Sequence, residues 1–310
     1  MRLSGLALAL IALAPLAARA GDKEAQDALT QAQQAWTAGK EPQEVLALFD
    51  QAEAHKPSSR VLQFFIKLNR AQFVQGKVGD LEQALGIYDQ IIRGLINLPE
   101  SEGQLRQIKS QAMANKANLV YAEKNDEEMA FQLYKSAAML YPSARISETA
   151  SQFMFRLSRN AGRRTDAQRK EILELGLKLA EEALKFAPNE FPDPARRAPW
   201  QAKFQLQLAI MQHAAGKPDE ARQTFAQIQQ DSLQPASLYQ QAVWNALEGK
   251  PDEALRCLTE FMKTRPEGEA GLKARNQLRK FIRGEPDFKG LLQQPGWKEL
   301  VEDEIDLSGH

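Results

Sequence analysis

Three histidines, one cysteine and 40 carboxylates are the side chains through which this chain could run acid–base, nucleophilic or metal chemistry. His55, His213 and His310 lie far apart, with no HExxH and no paired cysteine, so no metal site is expected. The nucleophile elbow GxSxG, the phosphate loop GxxxxGK followed by Ser or Thr, and the dinucleotide turn GxGxxG do not occur. Paired Asp and Glu can act as acid and base. Here they cluster in "EPQE", "DEE" and "PDEA", at expected helix starts, where a negative charge complements the helix dipole. Cys257, in "EALRCLTEF", sits among helix-forming apolar residues and is expected to be a buried, inert thiol. No catalytic residue, cofactor or metal is expected, which leaves recognition by a surface.

The elements that would carry such a surface are announced by a repetition. "GKPDEA" occurs at 216–221 and again at 249–254, 33 residues on. Self-similarity at a fixed period is the mark of stacked repeats. From Gly249, the steps to Ala254, Leu258, Phe261 and Pro266 define the pattern, and four and seven residues beyond Ala254 fall on one helical face. The same steps are met by Gly216, Ala221, Phe225 and Ile228, and by Asn125, Ala130, Tyr134, Ala137 and Pro142. They recur at Gly79, Ala84, Tyr88 and Ile91, and at Val45, Phe49, Ala52 and Pro57, with Gly39 one residue early. A further copy, "LKLAEEALKFAP", keeps Ala180, Ala183 and Pro188, but its helix start is displaced around 163–171 as a longer turn or an extended helix start.

Each position has a physical reason. Gly or Asn ends one helix in the left-handed conformation. Proline then opens the next helix, with acidic residues in its first turn. Alanine lies where paired helices approach most closely, and the bulky residue four on fills the groove between them. The last proline closes the second helix.

This spacing resembles the tetratricopeptide repeat family, whose unit is an antiparallel helix pair recurring every ~34 residues. The resemblance covers residues 24–268. The family's small residue, seven before the turn glycine, is matched by Ala209 and Ala242; Asn118, Gln72 and Gln33 replace it in earlier copies. The resemblance implies an all-α solenoid, a right-handed superhelix of about four repeats over 24–190 and two over 202–268. A Pro-rich connection at 191–201 is expected between them, as a rigid loop or a hinge. A closing element over 269–304 resembles the C-terminal cap of some bacterial members of the family, with Phe288, Leu291, Leu292, Trp297 and Leu300 folding back. Residues 305–310 are expected to be a tail.

Composition agrees with a folded chain, since 43% of the residues are hydrophobic. The 40 basic and 40 acidic residues cancel, without a basic face, so nucleic acid is not an expected partner. The first twenty residues, "MRLSGLALALIALAPLAARA", have a positive start, a short apolar run broken by Pro15 and the small-x-small ending Ala18-Arg19-Ala20. They read as a secretory signal cleaved after Ala20, giving an exported, periplasmic or secreted protein. The mature chain would hold no transmembrane segment. Without Arg2 and Arg19, the 40 basic residues become 38 against 40 acidic ones. The lone Cys257 permits no internal disulfide.

In the family, the first helices line a concave face that binds a peptide or a partner's helix. Transferred to this chain, that face would present Asn69, Phe73, Asn115, Leu119, Leu206, Ile210, His213, Tyr239 and Val243, unless these belong to the core between repeats. The Lys and Asn pair with which one family clamp holds a free C-terminus has no match, so that mode is not expected. The expected function is a non-enzymatic scaffold of the bacterial envelope that binds another protein. Two alternatives are a carbohydrate-binding or enzyme-associated module, which would cluster Trp and Tyr, and a hydrolase, which would bring carboxylates of neighbouring repeats into one cleft.

Overall fold

The computed structural model describes residues 20–160, 164–264 and 269–302. The expected signal segment lies outside the described residues except for Ala20, and so does the tail 305–310. Among the described residues the regular secondary structure is helix alone, and the chain divides into two units at Tyr141 and Pro142.

The N-terminal unit holds α1 (Ala20–Thr37), α2 (Pro42–Ala54), α3 (Arg60–Phe73), α4 (Leu81–Gly94), α5 (Gly103–Lys124) and α6 (Glu127–Leu140). They pack in consecutive pairs, α1 with α2, α3 with α4 and α5 with α6, and α3 also touches α1 and α5. The C-terminal unit holds α7 (Ala144–Arg159), α8 (Asp166–Glu190), α9 (Pro194–Ala214), α10 (Pro218–Ala226), α11 (Leu238–Leu247), α12 (Pro251–Lys263), α13 (Glu269–Gly284) and α14 (Trp297–Val301). Here α7 pairs with α8, α9 with α10 and α11 with α12, while α9 also packs on α7, α8 and α11.

The turn chemistry explains where the helices stop. Gly39, Gly79, Asn125, Gly216 and Gly249, the five positions expected to turn left-handed, have φ between 50° and 79°. After three of them the next N–H reaches back five residues: Lys40 to Ala35, Lys217 to Gln212 and Lys250 to Asn245, at 3.0, 2.9 and 2.8 Å. Helix starts use two devices. Pro42, Pro218 and Pro251 open α2, α10 and α12. Asp80 and Asp126 instead cap α4 and α6, accepting from the N–H of Gln83 and of Met129, each at 2.9 Å.

The apolar stripes of the second helices belong to the core. Val45, Phe49, Ala52, Ala84, Tyr88, Ile91, Ala130, Tyr134, Ala137, Ala221, Ala254 and Leu258 are all buried. Phe225, only half-buried, stacks on Trp244 with ring centroids 4.7 Å apart. Gly176 of α8 lies so close to α7 that an added Cβ would come within 2.9 Å of Met154 Cβ.

Two expectations need correction. The segment 191–201 is not a Pro-rich connection, because α9 begins at Pro194 and only three residues separate it from α8. Pro199 lies within α9 and Pro188 within α8, near a helix end, where a proline forfeits one backbone bond. Burial offsets that loss: Ala183 and Ala187 pack with Phe204, and Phe191 stacks on Trp200 at 5.0 Å. Of the two readings offered for the displaced copy, the extended helix start is the one present: α8 begins at Asp166, with Thr165 and Gln168 forming a capping box. In the closing element Phe288, Leu291, Trp297 and Leu300 are buried as expected, but Leu292 is 56% exposed. The short 3-10 turn Pro286–Leu291 points it to solvent while its neighbour Leu291 faces inward.

Candidate functional site

Seven of the nine residues expected on a binding face are inside the units. Asn69, Phe73, Asn115, Leu119, Leu206, Ile210 and Val243 are each at most 4% exposed. A partner cannot touch side chains so enclosed. The physical reason is that α1, α3 and α5, and likewise α7, α9 and α11, pack on one another, so these faces meet neighbours rather than solvent. Phe73 meets Trp36 edge-on at 5.3 Å, and Asn69 donates from Nδ2 to the Phe65 carbonyl at 2.8 Å and accepts from Gln33 Nε2 at 3.0 Å. Asn115 accepts from Gln111 Nε2 at 3.0 Å. His213 and Tyr239 keep partial exposure. His213 Nε2 lies 3.5 Å from Glu248 Oε1, and the same carboxylate accepts from Arg222 Nε at 2.9 Å.

The C-terminal unit encloses a charged seam that the sequence pattern did not announce. Glu148 of α7, 2% exposed, accepts from Gln152, from Gln240 Nε2 of α11 at 3.1 Å, and meets Lys203 Nζ of α9 at 3.1 Å. Farther along α7, Arg156 lies over the rings of Tyr239 and Phe281, 5.7 and 5.2 Å from their centroids. Arg159 reaches Asp287 Oδ1 at 2.6 Å. Burial pushes the Glu285 carboxyl up to about 6, against the pull of Arg156, and Asp287 adds to the rise. Burial also raises Asp287, which Arg159 opposes, and lifts the Tyr239 phenol well above its usual range. Glu285 and Asp287 come from one segment and both face arginines, so the arrangement is an ion-pair cluster rather than an acid and a base across a cleft. Burial likewise raises the Cys257 thiol, 3% exposed, in keeping with an inert role.

The N-terminal unit carries an open depression of about 390 Å³ between α2, α3 and α4. Its lining includes Glu53, Lys67, Arg70, Gln83, Gly86 and Gln90. A second hollow adjoins it through Glu53 and Lys67 and extends it to Lys56 and Gln63. Arg70 is held by Asp50 at 2.7 Å and Glu53 at 3.3 Å. Periodicity could not find this feature, because its residues lie off the apolar stripe.

Among the described residues no group of His, Cys, Asp and Glu is arranged to hold a metal ion, and no helix is long and apolar enough to cross a membrane. Trp244 and Trp297 are buried, and Trp36 and Trp200 pack against Phe73 and Phe191, so the tryptophans form no shared platform within either unit. No protein-family model matches the chain, and no curated protein is significantly similar to it.

Proposed function

We propose that this chain is a non-enzymatic, tetratricopeptide-like interaction protein, exported to the bacterial envelope, whose helix pairs stack into a right-handed superhelix and bind another protein. One observation carries the reading: five left-handed turn residues, each between two paired helices, fall at the repeat positions, and the small-to-bulky stripe after each turn is packed inward, with Phe225 half-buried against Trp244. An array of this kind leaves its outer residues free to take a partner's shape. Since most of the residues expected on the concave face are enclosed, the partner is met by outward surfaces, including the depression over α4.

Cross-linking in intact cells, read by mass spectrometry, tests this directly. One dominant cross-linked protein is expected, with a mature N-terminus at Gly21. Retention of cell-wall glycan alone, without a protein partner, would overturn the reading. Small-angle scattering should give an elongated particle; a single sphere-like profile would remove the superhelix.

A further inference from the structure

The depression between α2, α3 and α4 contains a glycine that folding does not explain. Gly86 sits in the middle of α4 on an exposed face, and a Cβ built there meets no atom within 4 Å. It neither turns the chain nor allows two helices to touch. Glycine is among the worst residues for a helix interior, so its use here has a cost without a structural return. What a missing side chain permits is the close approach of another backbone. Gln83 and Gln90 flank Gly86 on the same helical face and line the same depression. Seven residues of helix rise about 10 Å, the span of about three residues of extended chain. Each amide can both donate and accept, the two capacities a peptide backbone needs.

Charge selects the occupant. Arg70 is already matched by Asp50 and Glu53. Lys67, half-buried, has its ammonium 5.9 Å from the Phe64 ring, and among the described residues neither it nor Lys56 at the far end makes an ion pair. We infer that this depression seats an extended, acidic segment of a partner polypeptide, with its main chain over Gly86, its peptide groups on Gln83 and Gln90, and a carboxylate on Lys67. The inference rests on the partner-binding reading and names the partner's chemistry. A nucleic-acid strand fits less well, because it carries a phosphate at every nucleotide and cannot keep them all from Glu53 in the lining, whereas the peptide needs only one carboxylate, on Lys67.

The experiment selects phage-displayed random dodecamers on the whole protein, then measures the chosen peptides by fluorescence anisotropy. The chosen peptides should carry Asp or Glu, and Gly86→Leu and Lys67→Glu should each weaken their binding at least tenfold. Gly86→Leu should meanwhile raise the melting temperature, since leucine is a far better helix former; a fall would mean that the glycine serves packing and would sink the idea. Failure to select any peptide, peptides indifferent to both substitutions, or equal competition by a single-stranded thymidine 20-mer would also overturn it. If cellular cross-linking still returns a protein attached elsewhere, this inference fails alone. If no protein is returned, the partner-binding reading fails with it.

Discussion

Six or seven residues before each turn residue, the N-terminal unit carries Gln33, Gln72 and Asn118, where the C-terminal unit carries Ala209 and Ala242. The alanines are fully buried and let helices meet closely. Gln33 and Asn118 instead bond across: Gln33 to Asn69 at 3.0 Å, and Asn118 as acceptor of the Tyr134 hydroxyl at 2.5 Å. The N-terminal unit thus joins the interior of its helices with neutral amides and phenols, and its interhelical ion pairs, such as Arg70 with Asp50, have their carboxylates at the surface. The C-terminal unit does so with small residues plus a seam of enclosed carboxylates, Glu148 met by half-buried Lys203 and Asp287 by the exposed Arg159. The difference matters energetically. A neutral pair can be exchanged for apolar groups at little net cost, whereas removing one member of a buried ion pair strands a charge.

The largest effect should come from Lys203→Met, which leaves Glu148 enclosed without its cation. Urea unfolding should show a loss of about 3 kcal/mol, most of it regained in the double variant with Glu148→Leu. If the double variant is as weak as the single one, the seam stabilises by more than charge pairing, and the contrast between units fails.

A smaller effect attaches to Glu285, and its sign is opposite to the usual carboxylate case. Its carboxyl titrates near 6 in the folded chain, above its ordinary value of 4.5, so the folded state holds the proton longer than the unfolded one does. Stability should therefore fall as pH rises from 4.5 to 6 and then level off. Glu285→Gln should flatten that slope and stabilise the protein at pH 7.5 by about 2 kcal/mol. Thermal melts across this range check both parts. Loss of stability in the variant at pH 7.5 would mean that the carboxylate is held by Arg156 as a net favourable contact.

The smallest change is expected from the paired replacement Gln33→Leu with Asn69→Leu in the N-terminal unit. Both partners vanish together, so the midpoint of urea unfolding should shift by less than about 1 kcal/mol equivalent. A loss comparable to that of Lys203→Met would show that neutral and charged interiors are equally demanding.

The helix pairs were legible because their signals are local: a turn residue, a proline or aspartate start, and alanine at a fixed step. Gly216 with Pro218 and Ala221 needs no distant partner to be read. Pro188 and Pro199 misled because a proline's effect depends on whether tertiary burial outweighs one lost bond, and the aromatic contacts of Phe191 and Trp200 are not local in sequence. The binding face was misplaced for a related reason. Whether Leu206 or Ile210 faces a partner or a neighbouring helix is decided by how α7, α9 and α11 pack, which an amphipathic pattern leaves open. The depression over α4 hinges on Gly86, and a lone exposed glycine means little until the space above it is known.

Cys257 is the chain's single thiol, and it lies shut inside the C-terminal unit. A maleimide reagent applied to the native protein will therefore react only as fast as that half breathes, leaving the other half silent. The molecule thus comes with a built-in reporter of one unit's opening, and no engineered tag is needed to time it.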